Sequence, residues 1–181
     1  VYHVGAASDA ETDYLLLNQT DGATDNATFW NDTAPTASVF SVGTGNNTNG
    51  NTRPKSFLAF RSVPGVCKAG SYIGNGNANG PHISTGFKPS FIMIKRSVGG
   101  TGDWNILDTS REPFNAANPL VLRANLTTAD EAGSIGDFDI LSDGFKLKAV
   151  SANANTASST YIYLAMADIG GNGTLPPVYG R

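Results

Sequence analysis

Two β-type apolar runs, residues 71–73 and 91–94, flank the turn text GNGNANG and a Gly-Phe-Lys-Pro corner, and this stretch limits the fold more than any other. Short apolar runs bounded by Gly, Asn and Pro cannot carry long helices. They read as the opening of an antiparallel β-domain. Charged residues make up 15% of the 181, well below the roughly 25% of an average soluble domain. Gly, Asn, Thr and Ser are abundant instead, a composition for short strands joined by many turns.

Along the chain the same grammar recurs. Residues 1–3 read as a strand remnant, 14–17 as a compact buried strand, and Phe29-Trp30 as a renewed apolar signal. Residues 38–42, SVFSV, alternate with period two, the mark of a half-buried strand, and 56–60, SFLAF, are again strand-like. The apolar-free tract GTGNNTNGNT, residues 43–52, is a surface loop. In the second half, strands are expected at 104–107, 120–122, 138–141, 145–150 and 160–166, with a Ser142-Asp143-Gly144 turn and one helical turn within 127–136.

The two halves overlay at an offset of roughly 105 residues, which sets Leu15 on Leu120, Phe40 on Phe145 and Ala59 on Ala165. The expected fold is therefore all-β: an antiparallel sandwich of jelly-roll type, present as a tandem repeat whose first copy is truncated. Residues 1–64 would be the C-terminal part of a first repeat, 65–169 a complete second one, and 170–181 a linker or docking tail. A single unit in which residues 1–63 pack on the second half is the competing arrangement. The first residue is Val, and the chain reads as a piece of something longer.

The side chains offer little chemistry. Cys67 is the sole cysteine, so neither an intrachain disulfide nor a cysteine metal cluster is available, and a buried apolar role is expected for it. His3 and His82 stand far apart, and no Ser or Cys lies in a nucleophile motif. Asp108 and Glu112 have the residue types of a glycosidase pair, but loop spacing does not set their separation. Residues 75–80, NGNANG, begin like a calcium loop, yet Gly86 stands where the bidentate Glu belongs. Asp137, Asp139 and Asp143 read as solvated carboxylates, and Lys95-Arg96 as a solvated strand end. We expect no enzyme, no cofactor and no metal. A net charge of −3 gives no reason for a nucleic-acid partner, and no apolar run approaches the ~20 residues of a membrane span.

Trp30, Trp104, Tyr72, Tyr161 and Tyr163 suit sugar stacking, though strand positions assign most of them to packing. Any ligand or interface site is expected on polar loops carried by a sheet. The residues concerned are Asn46, Asn47 and Asn49 in the first loop, Asn75, Asn77 and Asn79 in the second, and Asn153 and Asn155 in the third.

The order GSYIGNG, TGFKPSFIMIKR, DWNILDT, SDGFKL and STYIYLAMA, preceded by NDTAPTASVFSVG and FLAFRSVPGVCKAGSY, resembles a repeat in structural proteins of tailed phages, especially marine and cyanobacterial ones. The resemblance covers roughly residues 1–168. It implies a virion component of tail-fibre or tail-associated type, and the expected role is that of an appendage protein, a homo-oligomer among other virion proteins that presents its Asn/Gly-rich loops to a host cell-surface glycan. The alternatives are a capsid decoration protein and a carbohydrate-binding module of a secreted protein. It brings no catalytic residues.

Overall fold

The computed structural model describes residues 1–168 except Thr52, residues 112–114 and Ala116. Its elements in chain order are β1 (Asp13–Tyr14), β2 (Thr24–Asp25), α1 (Asn46–Asn49), β3 (Cys67–Ile73), β4 (His82–Ser84), β5 (Pro89–Val98), β6 (Trp104–Asp108), β7 (Leu120–Arg123), β8 (Glu131–Ala132), β9 (Phe138–Leu141), β10 (Gly144–Leu147) and β11 (Thr160–Ala167). The chain is mostly β with antiparallel pairing throughout, and α1 is a single four-residue turn.

Six strands form one sheet in the order β3-β11-β5-β6-β7-β8, and three form another in the order β4-β10-β9. The pairing is nested: β3 lies on the last strand, β11, and β4 on the one before it, β10. Period-two alternation explains the packing. From β5, Ile92 and Ile94 join Leu107, Val121, Tyr161, Tyr163 and Ala165 in the main core, which Ile83, Phe138, Phe145 and Leu147 of the three-stranded sheet complete. The intervening residues of β5 and β11 face the other way. There Met93 and Ile162 meet Ala6, Leu15, Ala23 and Trp104 in a second core. Both faces of β11 are thus covered, and its sequence, TYIYLAMA, is correspondingly almost continuously apolar.

The second core is a cover laid over the six-stranded sheet by the first thirty residues, which pair only briefly, as Asp13↔Asp25 and Tyr14↔Thr24. Backbone and side-chain hydrogen bonds fasten it: the Trp104 indole N–H donates to Leu16 O at 2.9 Å, Ala23 N to Ser97 O at 2.7 Å and Gly102 N to Thr20 O at 2.9 Å.

The structure shows no tandem repeat. Leu15 is buried in the cover's core beside a two-residue strand, whereas Leu120 is a half-buried member of the six-stranded sheet. Phe145 is fully buried in β10, whereas Phe40 lies outside any strand and is 47% exposed. Residues 38–42 and 56–60 carry strand-like text but are not strands, because among the described residues no strand accepts their backbone groups. The strand expected at 14–17 shrinks to Asp13–Tyr14, residues 1–3 form none, and 127–136 contain the short β8 in place of a helical turn. The tail, residues 170–181, lies outside the described residues.

Candidate functional site

Because Thr160 pairs with Ile73, the loops that follow β3 and precede β11 leave the sheet side by side. Two close approaches of backbone then fuse them: Gly74 N donates to Ser159 O at 2.9 Å and Ser158 N to Gly74 O at 3.0 Å. A Cβ on residue 74 would sit 2.2 Å from Thr156 O, so only glycine permits this contact.

Asn155 locks the pair. It is fully buried, accepts from Asn75 N at 2.9 Å, and donates from Nδ2 to Asn77 O at 2.8 Å and Ala149 O at 3.0 Å. Beneath it two stacked tyrosines, ring centroids 5.2 Å apart, hold the third loop from the core side. The Tyr72 hydroxyl donates to Ala154 O at 2.9 Å. The Tyr161 hydroxyl donates to Ala152 O at 3.0 Å and accepts from Thr156 N at 2.9 Å. Burial, and secondarily the neighbouring Tyr161, push the Tyr72 phenol well above its ordinary value, so it stays a neutral donor.

Asn75, Asn77 and Asn79 form the exposed rim. Their side-chain oxygens point back at the protein, with Asn77 N donating to Asn75 Oδ1 at 3.0 Å, Asn79 N to Asn77 Oδ1 at 2.8 Å, and Lys146 Nζ to Asn79 Oδ1 at 2.8 Å. The first two are Asx turns, which explains the alternating Asn pattern without a calcium ion: the oxygens of Asn75 and Asn77 are spent on the backbone and that of Asn79 on Lys146. The rim offers neutral amide groups on a stiff base. Such groups can hydrogen-bond a neutral polyhydroxyl ligand, and they supply no acid, base or nucleophile.

Of the eight asparagines singled out in the sequence, the structure gathers Asn75, Asn77, Asn79 and Asn155. Asn153 lies on the same loop but is turned away, accepting from Asp103 N and donating to Ser134 O, each at 3.2 Å. Asn46, Asn47 and Asn49 are exposed on α1, and among the described residues no hydrogen bond joins them to the other two loops. Asn155 is a structural latch and not a contact residue.

The remaining candidates disperse. His3 is half-buried and accepts from Gly5 N at 3.0 Å, while exposed His82 meets Asp143 at 3.2 Å. Asp139 meets Lys148 at 3.2 Å, and Asp137 accepts from Asn118 N. Among the described residues no group of three or more His, Cys, Asp or Glu side chains is placed to hold a metal ion. Burial raises the Asp108 carboxyl, but hydrogen bonds from the Arg111 side chain and from the backbone of Arg111 and Ser110 more than offset this and hold it below its usual value. Glu112 lies outside the described residues. Tyr72, Tyr161, Tyr163 and Trp104 are all buried, as packing at strand positions requires, so none presents a face to a sugar.

Lys95 corrects the reading of a solvated strand end. It is fully buried under the cover, donating from Nζ to Thr20 O at 3.0 Å and Arg96 O at 2.7 Å, with the Trp104 ring 6.0 Å away. Desolvation lowers its amine to about 8 although Asp21 and Asp103 pull the other way. The sequence held one clue, a lysine at the period-two position of Met93. At the opposite end of the sheet lies a cleft of about 330 Å³ between Phe87, Ser90, Thr109 and Ala167. It is assembled from separate segments and had no sequence signal.

No curated protein and no solved structure matches this chain. Residues 1–169 match the family model described as a domain of unknown function, DUF7483, and the chain belongs to that family.

Proposed function

We propose that this chain is a structural component of a phage virion, of tail-fibre or other appendage type, in which a jelly-roll-like sandwich holds Asn/Gly-rich loops toward a host-surface glycan. The observation that carries this reading is the clamped loop pair. Asn155, Tyr72 and Tyr161 spend buried polar groups on fixing a rim whose exposed members, Asn75, Asn77 and Asn79, do no packing of their own. Rigid polar loops on a sheet suit recognition, since little ordering entropy is lost on binding. The nested pairing of β3 with β11 and of β4 with β10 supports the jelly-roll arrangement. The resemblance of GSYIGNG through STYIYLAMA to phage structural repeats supports the virion setting. We assign the chain copies of itself and other virion proteins as partners, and neither a reaction nor a cofactor.

Immunogold labelling of purified virions, paired with a glycan array, tests this. Label on an appendage and binding to a set of glycans, lost in N77A/N79A, is the expected result. Label on the head would move the protein to decoration. Glycan binding by a chain absent from virions would make it a carbohydrate-binding module and overturn the proposal.

A further inference from the structure

We propose that residues 53–61 are an assembly strap that docks on the acidic surface of residues 9–32 of a second copy of this chain. The charges of the N-terminal third are sorted by sign. Residues 1–51 contain Asp9, Glu11, Asp13, Asp21, Asp25 and Asp32 with no Lys or Arg, and the next four charged residues, Arg53, Lys55, Arg61 and Lys68, are all basic.

Each surface lacks what the other supplies. Asp13 lies directly opposite Asp25 in the β1–β2 pair, and like charges in that position repel. Burial first, then Asp25 and Asp9, push the Asp13 carboxyl upward. Among the described residues, no ion pair joins Asp9, Glu11, Asp13 or Asp25 to a basic group, and none joins Arg53 or Arg61 to an acid.

The strap itself is unsatisfied in a second way. Phe57, Leu58 and Phe60 are 47%, 88% and 53% exposed, and the Phe57 ring meets Phe40 at 5.1 Å, which extends the apolar patch to Val39. Among the described residues, no backbone group of residues 54–60 makes a hydrogen bond. The strap is nevertheless tethered at both ends, by Lys55 Nζ donating to Asn46 O at 2.7 Å and by the Val63↔Cys67 bridge with Ala69 N donating to Ser62 Oγ. An exposed aromatic patch with basic neighbours is the composition of an interface, and docking it requires no unfolding. A second copy is the partner whose matching charge is already present: each chain carries one strap and one acidic surface, so copies join either reciprocally as a pair or head to tail as a series.

This deepens the self-assembly part of the proposed function and stands or falls apart from the glycan and virion results. The test is sedimentation velocity of the full chain at low and high salt, with circular dichroism to verify the fold. Wild type should associate, more weakly in high salt. The strap variant R53E/R61E and the surface variant D13K/D25K should each lose about tenfold or more in self-affinity, the effect expected when like charges face each other across an interface. Combining all four substitutions restores opposite signs and should restore association. Should D13K/D25K fail to fold, Leu58→Asp on the exposed strap serves as the second probe and should also dissociate the assembly. A wild type that is monomeric in low salt, association untouched by R53E/R61E or Leu58→Asp, or a folded fourfold variant that stays apart would overturn the proposal.

Discussion

Residues 36–62 and residues 138–167 are written in nearly the same alphabet, yet they end in opposite environments. SVFSV and DGFKL both alternate, but Phe145 of the second is wholly buried between sheets while Phe40 of the first is 47% exposed. SFLAF and YIYLAM both look like central strands. The second pairs with β3 and β5 along its length, and the first pairs with no strand among the described residues. The difference teaches that alternation licenses a strand without supplying its neighbour. A strand is stable when its backbone groups find a partner strand and at least one face is buried, and of the two segments only the C-terminal one has that arrangement among the described residues.

The sharpest way to break the comparison is to truncate the matching phenylalanines. Phe145→Ala removes a fully buried ring that touches Phe138 and Tyr163 at 5.3 and 5.4 Å, and should cost about 3–5 kcal/mol in chemical denaturation. Phe40→Ala should change stability by only about 0.5 kcal/mol in dilute solution, as surface substitutions do. Equal losses would mean that the two segments share an environment after all, and the contrast drawn above would fail.

That contrast also marks where the sequence was legible. The strands at 71–73, 91–94, 104–107, 120–122, 138–141 and 160–166 were readable because each is a short β-rich run bounded by turn residues, and each has a partner elsewhere in the described chain. The repeat was misread because local text repeats where tertiary pairing does not: Leu15 and Leu120 share neighbours in sequence only. For the candidate site, the loops were legible from their Gly and Asn content. Which asparagines face solvent was not, since Asn155 differs from Asn77 by what lies 80 residues away, namely the backbone of Asn75. Lys95 was hidden for the same reason, because its cover comes from Thr20 and its neighbours.

A smaller effect sharpens the difference between latch and rim inside the loop cluster. Asn155→Ala strands Asn75 N, Asn77 O and Ala149 O without their partner, so a loss of about 1–3 kcal/mol is expected, with faster amide hydrogen exchange across residues 74–80. Asn77→Ala leaves those bonds in place, removing only the Asx contact to Asn79 N, and should cost well under half as much. If the two variants behave alike, the loops are not clamped, and the rigid rim on which the proposed function leans is lost.

The smallest effect at neutral pH probes the cover itself. In Lys95→Met, loss of the hydrogen bonds from the charged amine to Thr20 O and Arg96 O, about 1.5–3 kcal/mol each, opposes relief of about the same several kcal/mol from no longer burying a charge, so stability near pH 7 should shift by only about 1 kcal/mol or less. The diagnostic is the slope with pH. Below about pH 8 the amine is charged in both states and its burial penalty is constant. Between about 8 and its ordinary value of 10.5 the unfolded chain holds a proton that the folded chain has released. Stability contributed by this group must therefore rise with pH across that window. Denaturation of wild type and Lys95→Met in parallel buffers isolates the contribution of this amine, since every other titrating group is common to both. The wild type should gain on the variant from pH 8 upward. Parallel curves would place the amine in water and detach the cover, leaving residues 14–23 as loosely held as the strap that follows them.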